Sequence, residues 1–193
     1  MEDYLIEHCS PTLASLKTAN LFNYQYLSEE ELYGYIRSLN RSLSGKGVSV
    51  TILRKLEHST LIYVYRRQKL QEDLNRPGTA EFLQTCGYDA FTVERAIAKL
   101  RRRIAEAGGF PHEIGLFLGY PLGDVIGFIE NSGRNSKCSG CWKVYCNECE
   151  AVRLFAKFDK SQLTTKADKK ILAEAEAEFV AEHPDCAAER AES

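Results

Sequence analysis

The chain has 193 residues, of which 44% are hydrophobic and 27% charged, with a formal net charge of -2. That length suits one domain, or one domain with an appendage. The balance gives no global attraction to nucleic acid or to an anionic membrane. Seven cysteines, an odd number, are the unusual feature.

The N-terminus, Met-Glu-Asp-Tyr-Leu-Ile-Glu-His, lacks the basic start and apolar core of a signal peptide. The longest apolar runs, Leu61–Tyr65 and Ile114–Leu118, fall far short of the ~20 residues of a bilayer span. A cytoplasmic protein is expected, with reduced thiols and no disulfide framework.

Ser10-Pro11 reads as an N-cap followed by Pro at the first helical position, opening a short helix through Lys17. Ala19–Tyr24 reads as a strand. Ser28-Glu29-Glu30-Glu31 is a capping box, and Leu32, Ile36, Leu39 and Leu43 follow at helical spacing until Gly45 and Gly47. Val48, Val50 and Ile52 alternate as in a half-buried strand. Polar Glu57-His58-Ser59 marks a hairpin into Leu61–Tyr65, a continuous run suited to a central strand. Arg67–Asn75 and Ala80–Cys86 read as helices ended by Pro77-Gly78 and Gly87. Thr92 caps a helix with Val93, Ile97, Leu100 and Ile104 on one face. Ile114–Leu118 reads as a buried strand and Pro121 as the start of a helix carrying Leu122, Val125, Ile126 and Ile129. Trp142–Tyr145 reads as a short strand, and Glu148–Phe158 as a helix with Val152 and Phe155 inward.

The alternation predicts a single α/β domain over residues 1–160, with a mixed sheet of about five strands and helices packed on it. Residues 161–193 hold 4 Lys+Arg against 8 Asp+Glu, and the body 21 against 19. This acidic, Ala/Glu-rich tail is expected to be helical over Thr165–Glu182 and frayed after Pro184.

Two chemical sites suggest themselves. Cys138, Cys141, Cys146 and Cys149 form C-x2-C-x4-C-x2-C, a spacing that lets thiolates converge on one zinc or iron. If Trp142–Tyr145 is extended, Cys141 and Cys146 lie about 16 Å apart at ~3.3 Å per residue, too far to share one ion. The strand and the metal site therefore compete, and small packed thiols are the alternative. The second site is Cys9, placed before the expected helix N-terminus, where the dipole favours thiolate. His112 is its candidate base, with Glu113 or Asp124 as the orienting acid of a Cys-His hydrolase or transferase. A packed thiol is the simpler account of Cys9.

Gly115, Gly119 and Gly123 match neither phosphate-binding fingerprint and read as turn residues. Arg101-Arg102-Arg103, with Arg95 and Lys99, forms a basic helix face, read as solvated or as a contact for an acidic partner. Tyr63, Tyr65 and Arg66 read as core rather than pocket. No membrane partner and no nucleic acid are expected. A non-catalytic interaction module using the basic face or the acidic tail is the third functional reading.

Three stretches carry a resemblance. They are His8-Cys9-Ser10-Pro11-Thr12-Leu13 with Lys17, the run Phe110-Pro111-His112-Glu113-Ile114-Gly115-Leu116-Phe117-Leu118-Gly119-Tyr120-Pro121, and Trp142-Lys143-Val144-Tyr145. With Tyr63-Val64-Tyr65-Arg66 they resemble a family of small bacterial proteins, found mainly in clostridia-like anaerobes and defined by a domain of unknown function. The resemblance covers roughly residues 5–160. It implies no assigned reaction, and nudges the reading toward metal or redox physiology. Cys138 fits that family's pattern, whereas Cys141, Cys146 and Cys149 depart from it, as does Ser161, near which the family often has cysteine.

Overall fold

The computed structural model describes residues 2–106 and 110–164. The expected tail helix and Cys186 lie outside them. Helix α1 (Glu2–Leu13) leads to strand β1 (Ala19–Gln25), helix α2 (Glu29–Ser44), and strands β2 (Val48–Lys55) and β3 (Ser59–Arg66). Helices α3 (Arg67–Leu74), α4 (Thr79–Thr85), α5 (Val93–Glu106), α6 (Ile114–Phe117) and α7 (Leu122–Glu130) follow. A hairpin of β4 (Cys138–Ser139) and β5 (Lys143–Val144) then precedes helix α8 (Glu148–Thr164).

The single α/β domain is what the sequence predicts, and five strands is the number found among the described residues. They divide between two sheets, β1-β3-β2 and β4-β5, and every pairing is antiparallel. β3 is central because Leu61–Val64 is apolar at every position, so both faces can be buried. Ile62 and Val64 face α1 and α2, packing with Leu5, Cys9, Leu32 and Leu39. Leu61 and Tyr63 face the other way, toward Leu70, Leu83, Leu100 and Phe117. The result is three layers, with helices on both faces of the sheet.

Local chemistry explains the ends. Ser28 accepts the Glu31 N–H at 3.1 Å, with acidic residues filling the first turn of α2. At α5 the Gln71 side chain of α3 accepts the Val93 N–H at 3.2 Å. Arg66 donates to the carbonyls of Thr12 and Leu13 at the end of α1 and to Lys46 beyond α2. It thus satisfies carbonyls that a helix end leaves without intrahelical partners. Arg66→Met is expected to cost about 2–3 kcal/mol, the range of hydrogen bonds from a charged donor, read as a lower urea midpoint with unchanged slope.

Three expectations change. Ile114–Leu118 is a helical turn, α6, because a short apolar run is equally suited to a buried helix segment. Ser10-Pro11 lies inside α1, which starts eight residues earlier than Ser10: the stripe Leu5, Cys9, Leu13 buries one helical face, and the Ser10 hydroxyl donates to the Ile6 carbonyl. In α8, Ala151, Leu154, Phe155 and Phe158 turn inward while Val152 is exposed. The basic face is also partly structural. Arg101 donates to the Ile52 carbonyl and the Thr51 hydroxyl, and Arg103 pairs with buried Glu113.

Candidate functional site

The hairpin and α8 build a small third core from Trp142, Val144, Ala151 and Phe158. One buried carboxylate fixes this unit to the body. Asp124, in the first turn of α7, accepts from Trp142 Nε1 and from the backbone N–H groups of Tyr145 and Cys146, each at 2.8 Å. Gly123 and Gly127, one turn apart, present a side-chain-free helix face to the hairpin. A Cβ at Gly123 would fall 2.4 Å from Cys146 Sγ, and one at Gly127 2.6 Å from the Tyr145 ring. Nothing larger than glycine admits that approach.

Trp142 stands at the centre. It stacks on Tyr120 at 4.8 Å and meets Phe155 edge-on at 4.6 Å. Three cavities share it as a wall. One, of about 320 Å³, is lined by Phe110, His112, Tyr120, Phe128, Trp142 and Lys143. A second, of about 370 Å³, lies toward α8 beside Cys146, Asn147, Glu150 and Leu154. A third, of about 180 Å³, opens by Lys17 and α3. Burial pushes the Tyr120 hydroxyl up to about 12, with Cys141 nearby adding to it.

Cys9 and His112, the expected nucleophile and base, sit in different surroundings. Cys9 is fully buried between α1 and the sheet, and burial pushes its thiol far above the ordinary range despite Lys17 nearby. It sits inside a helix, so the terminal dipole that would favour thiolate is absent. His112 is exposed and rests against Phe128 at 5.3 Å. Neither proposed orienting acid serves it: Glu113 is held by Arg103 and Tyr88, and Asp124 by the hairpin.

The four clustered cysteines divide among different surroundings. Cys138 is half-buried in the third core, opposite Val144 in the hairpin register. Cys141 is exposed at the tip, its carbonyl accepting from Tyr120 at 3.2 Å. Cys146 lies on Gly123, and Cys149 is exposed in the first turn of α8. Among the described residues, no three His, Cys, Asp or Glu side chains converge as metal ligands. Trp142–Tyr145 contains only the two-residue strand β5, so the competition expected between a long strand and the cluster eases without bringing the thiols together. Loss of solvent pushes the thiols of Cys141 and Cys146 up, with the Asp124 carboxylate adding to the effect at Cys146. Both are therefore protonated near neutrality and slow as nucleophiles. Under native conditions an aromatic disulfide reagent is expected to label Cys149 over minutes, Cys141 and Cys146 more slowly, and Cys9 only on unfolding. Peptide mapping after quenching separates them.

In the sequence, Asp124 stands out only as an orienting acid for His112, and Lys17 and Trp142 only as members of the family-like stretches. Gly123 and Gly127, four apart on α7, are the available signal that a second segment lies close along that helix.

No helix among the described residues is long and apolar enough to cross a membrane. No curated protein and no solved structure matches the chain. A family profile described as protein of unknown function (DUF3793) matches residues 5–177, a span that takes in Lys17, Asp124 and Trp142, and the chain belongs to that family.

Proposed function

We propose that the protein binds a flat, largely apolar small molecule in the cavity between α6, α7 and the hairpin. The observation that carries this reading is the convergence of four aromatic rings, Phe110, Tyr120, Phe128 and Trp142, from separate segments around about 320 Å³, with His112 and Lys143 as polar groups. Mostly apolar walls with a few polar groups are the usual make-up of small-molecule sites. At ~30 Å³ per atom the volume holds on the order of ten non-hydrogen atoms, a bicyclic ring system.

Quinoline is a suitable first probe, because Trp142 is the chain's one tryptophan and reports contact through its emission. A saturable change with Kd of ~1 mM or tighter, about -4 kcal/mol or better, is expected. Phe128→Leu should weaken it at least tenfold. A linear, unsaturated response in the wild type, or equal binding by Phe128→Leu, would rule the reading out.

A second reading, metal handling or redox chemistry by Cys138, Cys141, Cys146 and Cys149, is favoured by one observation. The hairpin is anchored by Asp124 and its own small core, which leaves Cys141, Cys146 and Cys149 exposed. Zinc or iron would be held only after thiol deprotonation and closure of the tip on the start of α8. Metal analysis of protein purified without added metal tests it, with Cys146→Ser alongside. Metal-free wild type that also fails to take up added zinc removes it.

A further inference from the structure

Lys17 is a charged side chain placed where lysine is rarely found. It is 8% exposed, and its ammonium lies over the Tyr120 ring at 5.2 Å. Tyr120 offers the face of a π-system, which attracts a cation without accepting its protons in directional bonds. The charged groups that line the same cavity as Lys17 are otherwise occupied. Arg76 is paired with Asp73 at 2.7 Å. The other Asp73 oxygen accepts the Thr18 hydroxyl at 2.5 Å. Lys69 donates to the Ser15 carbonyl at 2.5 Å, and exposed Glu72 accepts from Gln68. Cys9 and Cys141, the remaining titratable neighbours, carry thiols pushed up by burial at Cys9 and by partial loss of solvent at Cys141, and so protonated near neutrality. Among the described residues, Lys17 therefore has no carboxylate or carbonyl partner for its ammonium. Burial lowers its pKa accordingly.

The ammonium borders the cavity of about 180 Å³ between the end of α1, α3 and the α6–α7 corner. That corner is left open by Gly119, at φ +80°, where a Cβ would come within 2.6 Å of Thr18 Oγ1. Three cations (Lys17, Lys69, Arg76) and two carboxylates (Glu72, Asp73) line it, leaving one positive charge unmatched. Leaving a buried ammonium without an anion costs several kcal/mol, which a bound anion in hydrogen-bond reach offsets.

We propose that this cavity binds a small monocarboxylate, whose carboxylate is the ion-pair partner of Lys17. A single negative charge neutralises the lining, whereas a phosphate dianion would leave an excess beside buried Asp73. The volume corresponds to about six non-hydrogen atoms, the size of a three-carbon hydroxy acid. This site is separate from the aromatic cavity, with which it shares only the Trp142 wall.

The test compares the thermal midpoint of the full chain in lactate, inorganic phosphate and chloride at equal ionic strength and pH 7. Lactate at tenfold its Kd should raise the midpoint by roughly 3 °C over chloride. Lys17→Met should abolish the increment while melting no lower than wild type in chloride, since it removes the buried charge. Lys17 is also followed directly in protein carrying 13C-labelled lysine, its Cε resonance assigned by loss in Lys17→Arg. Lactate should move its titration to higher pH. Equal midpoints in lactate and chloride, a lactate increment retained by Lys17→Met, or an unmoved Lys17 titration would overturn the site. A phosphate increment equal to or above that of lactate would overturn the monocarboxylate assignment.

Discussion

Asp124→Ala is expected to release the hairpin from α7 and to lower stability by about 4 kcal/mol. Three N–H donors, from Trp142, Tyr145 and Cys146, lose their acceptor in a place where the carboxylate is 3% exposed. A buried donor left without a partner costs about 1–3 kcal/mol. The total falls below three full penalties because a freed hairpin tip can rehydrate. Asp124→Asn keeps one carbonyl oxygen as acceptor and turns an NH2 donor toward other donors, so about half the loss is expected. The readouts are the urea midpoint, amide exchange at Tyr145 and Cys146, and a red shift of Trp142 emission. Protected amides at 145 and 146 in Asp124→Ala would show that the small core alone holds the hairpin.

Trp142→Ala carries the second large effect. The ring is 9% exposed, packed between Tyr120 and Phe155. Truncating such a side chain costs about 3–5 kcal/mol, from lost transfer free energy and the space left behind. Here that space joins three cavities into one, because Trp142 walls them all. Quinoline binding should disappear. Trp142→Phe separates the two consequences: it retains an aromatic wall and loses the N–H to Asp124, so about 1–2 kcal/mol is lost and binding weakens rather than vanishes. Binding by this variant is followed by ligand NMR, as its tryptophan signal is gone. Equal destabilisation by both variants would mean that the hydrogen bond, not the ring volume, supports the site.

The body was legible wherever periodicity and end signals agreed. α2 has both a capping box and a four-residue apolar repeat, and β3 an uninterrupted apolar run, so each lies where its residues place it. Sequence and structure part where one local cue outweighs a longer pattern. Ser10-Pro11 masked the Leu5-Cys9-Leu13 stripe, and Ile114–Leu118 was too short for its period to distinguish a helical turn from a strand. The candidate site was less legible for a different reason. Its key contacts are long-range and polar: Asp124 to residues about twenty positions on, and Lys17 to the ring of Tyr120. No spacing rule reports which carboxylate will meet which amide. Cysteine spacing, by contrast, is conspicuous in sequence, yet the thiols here hang on a segment that is held by other groups.

The way that segment is held has a consequence for how its sequence can drift. Two of the three bonds to Asp124 come from main-chain N–H groups, which every residue but proline possesses. The anchor is therefore blind to the identity of residues 145 and 146, provided that their side chains clear the glycine face of α7. Cysteines at 141, 146 and 149 can be gained or lost by single substitutions with little effect on folding, whereas Asp124, Gly123 and Gly127 have few tolerated replacements. New surface chemistry can thus be tried at the hairpin tip without passing through an unstable intermediate sequence.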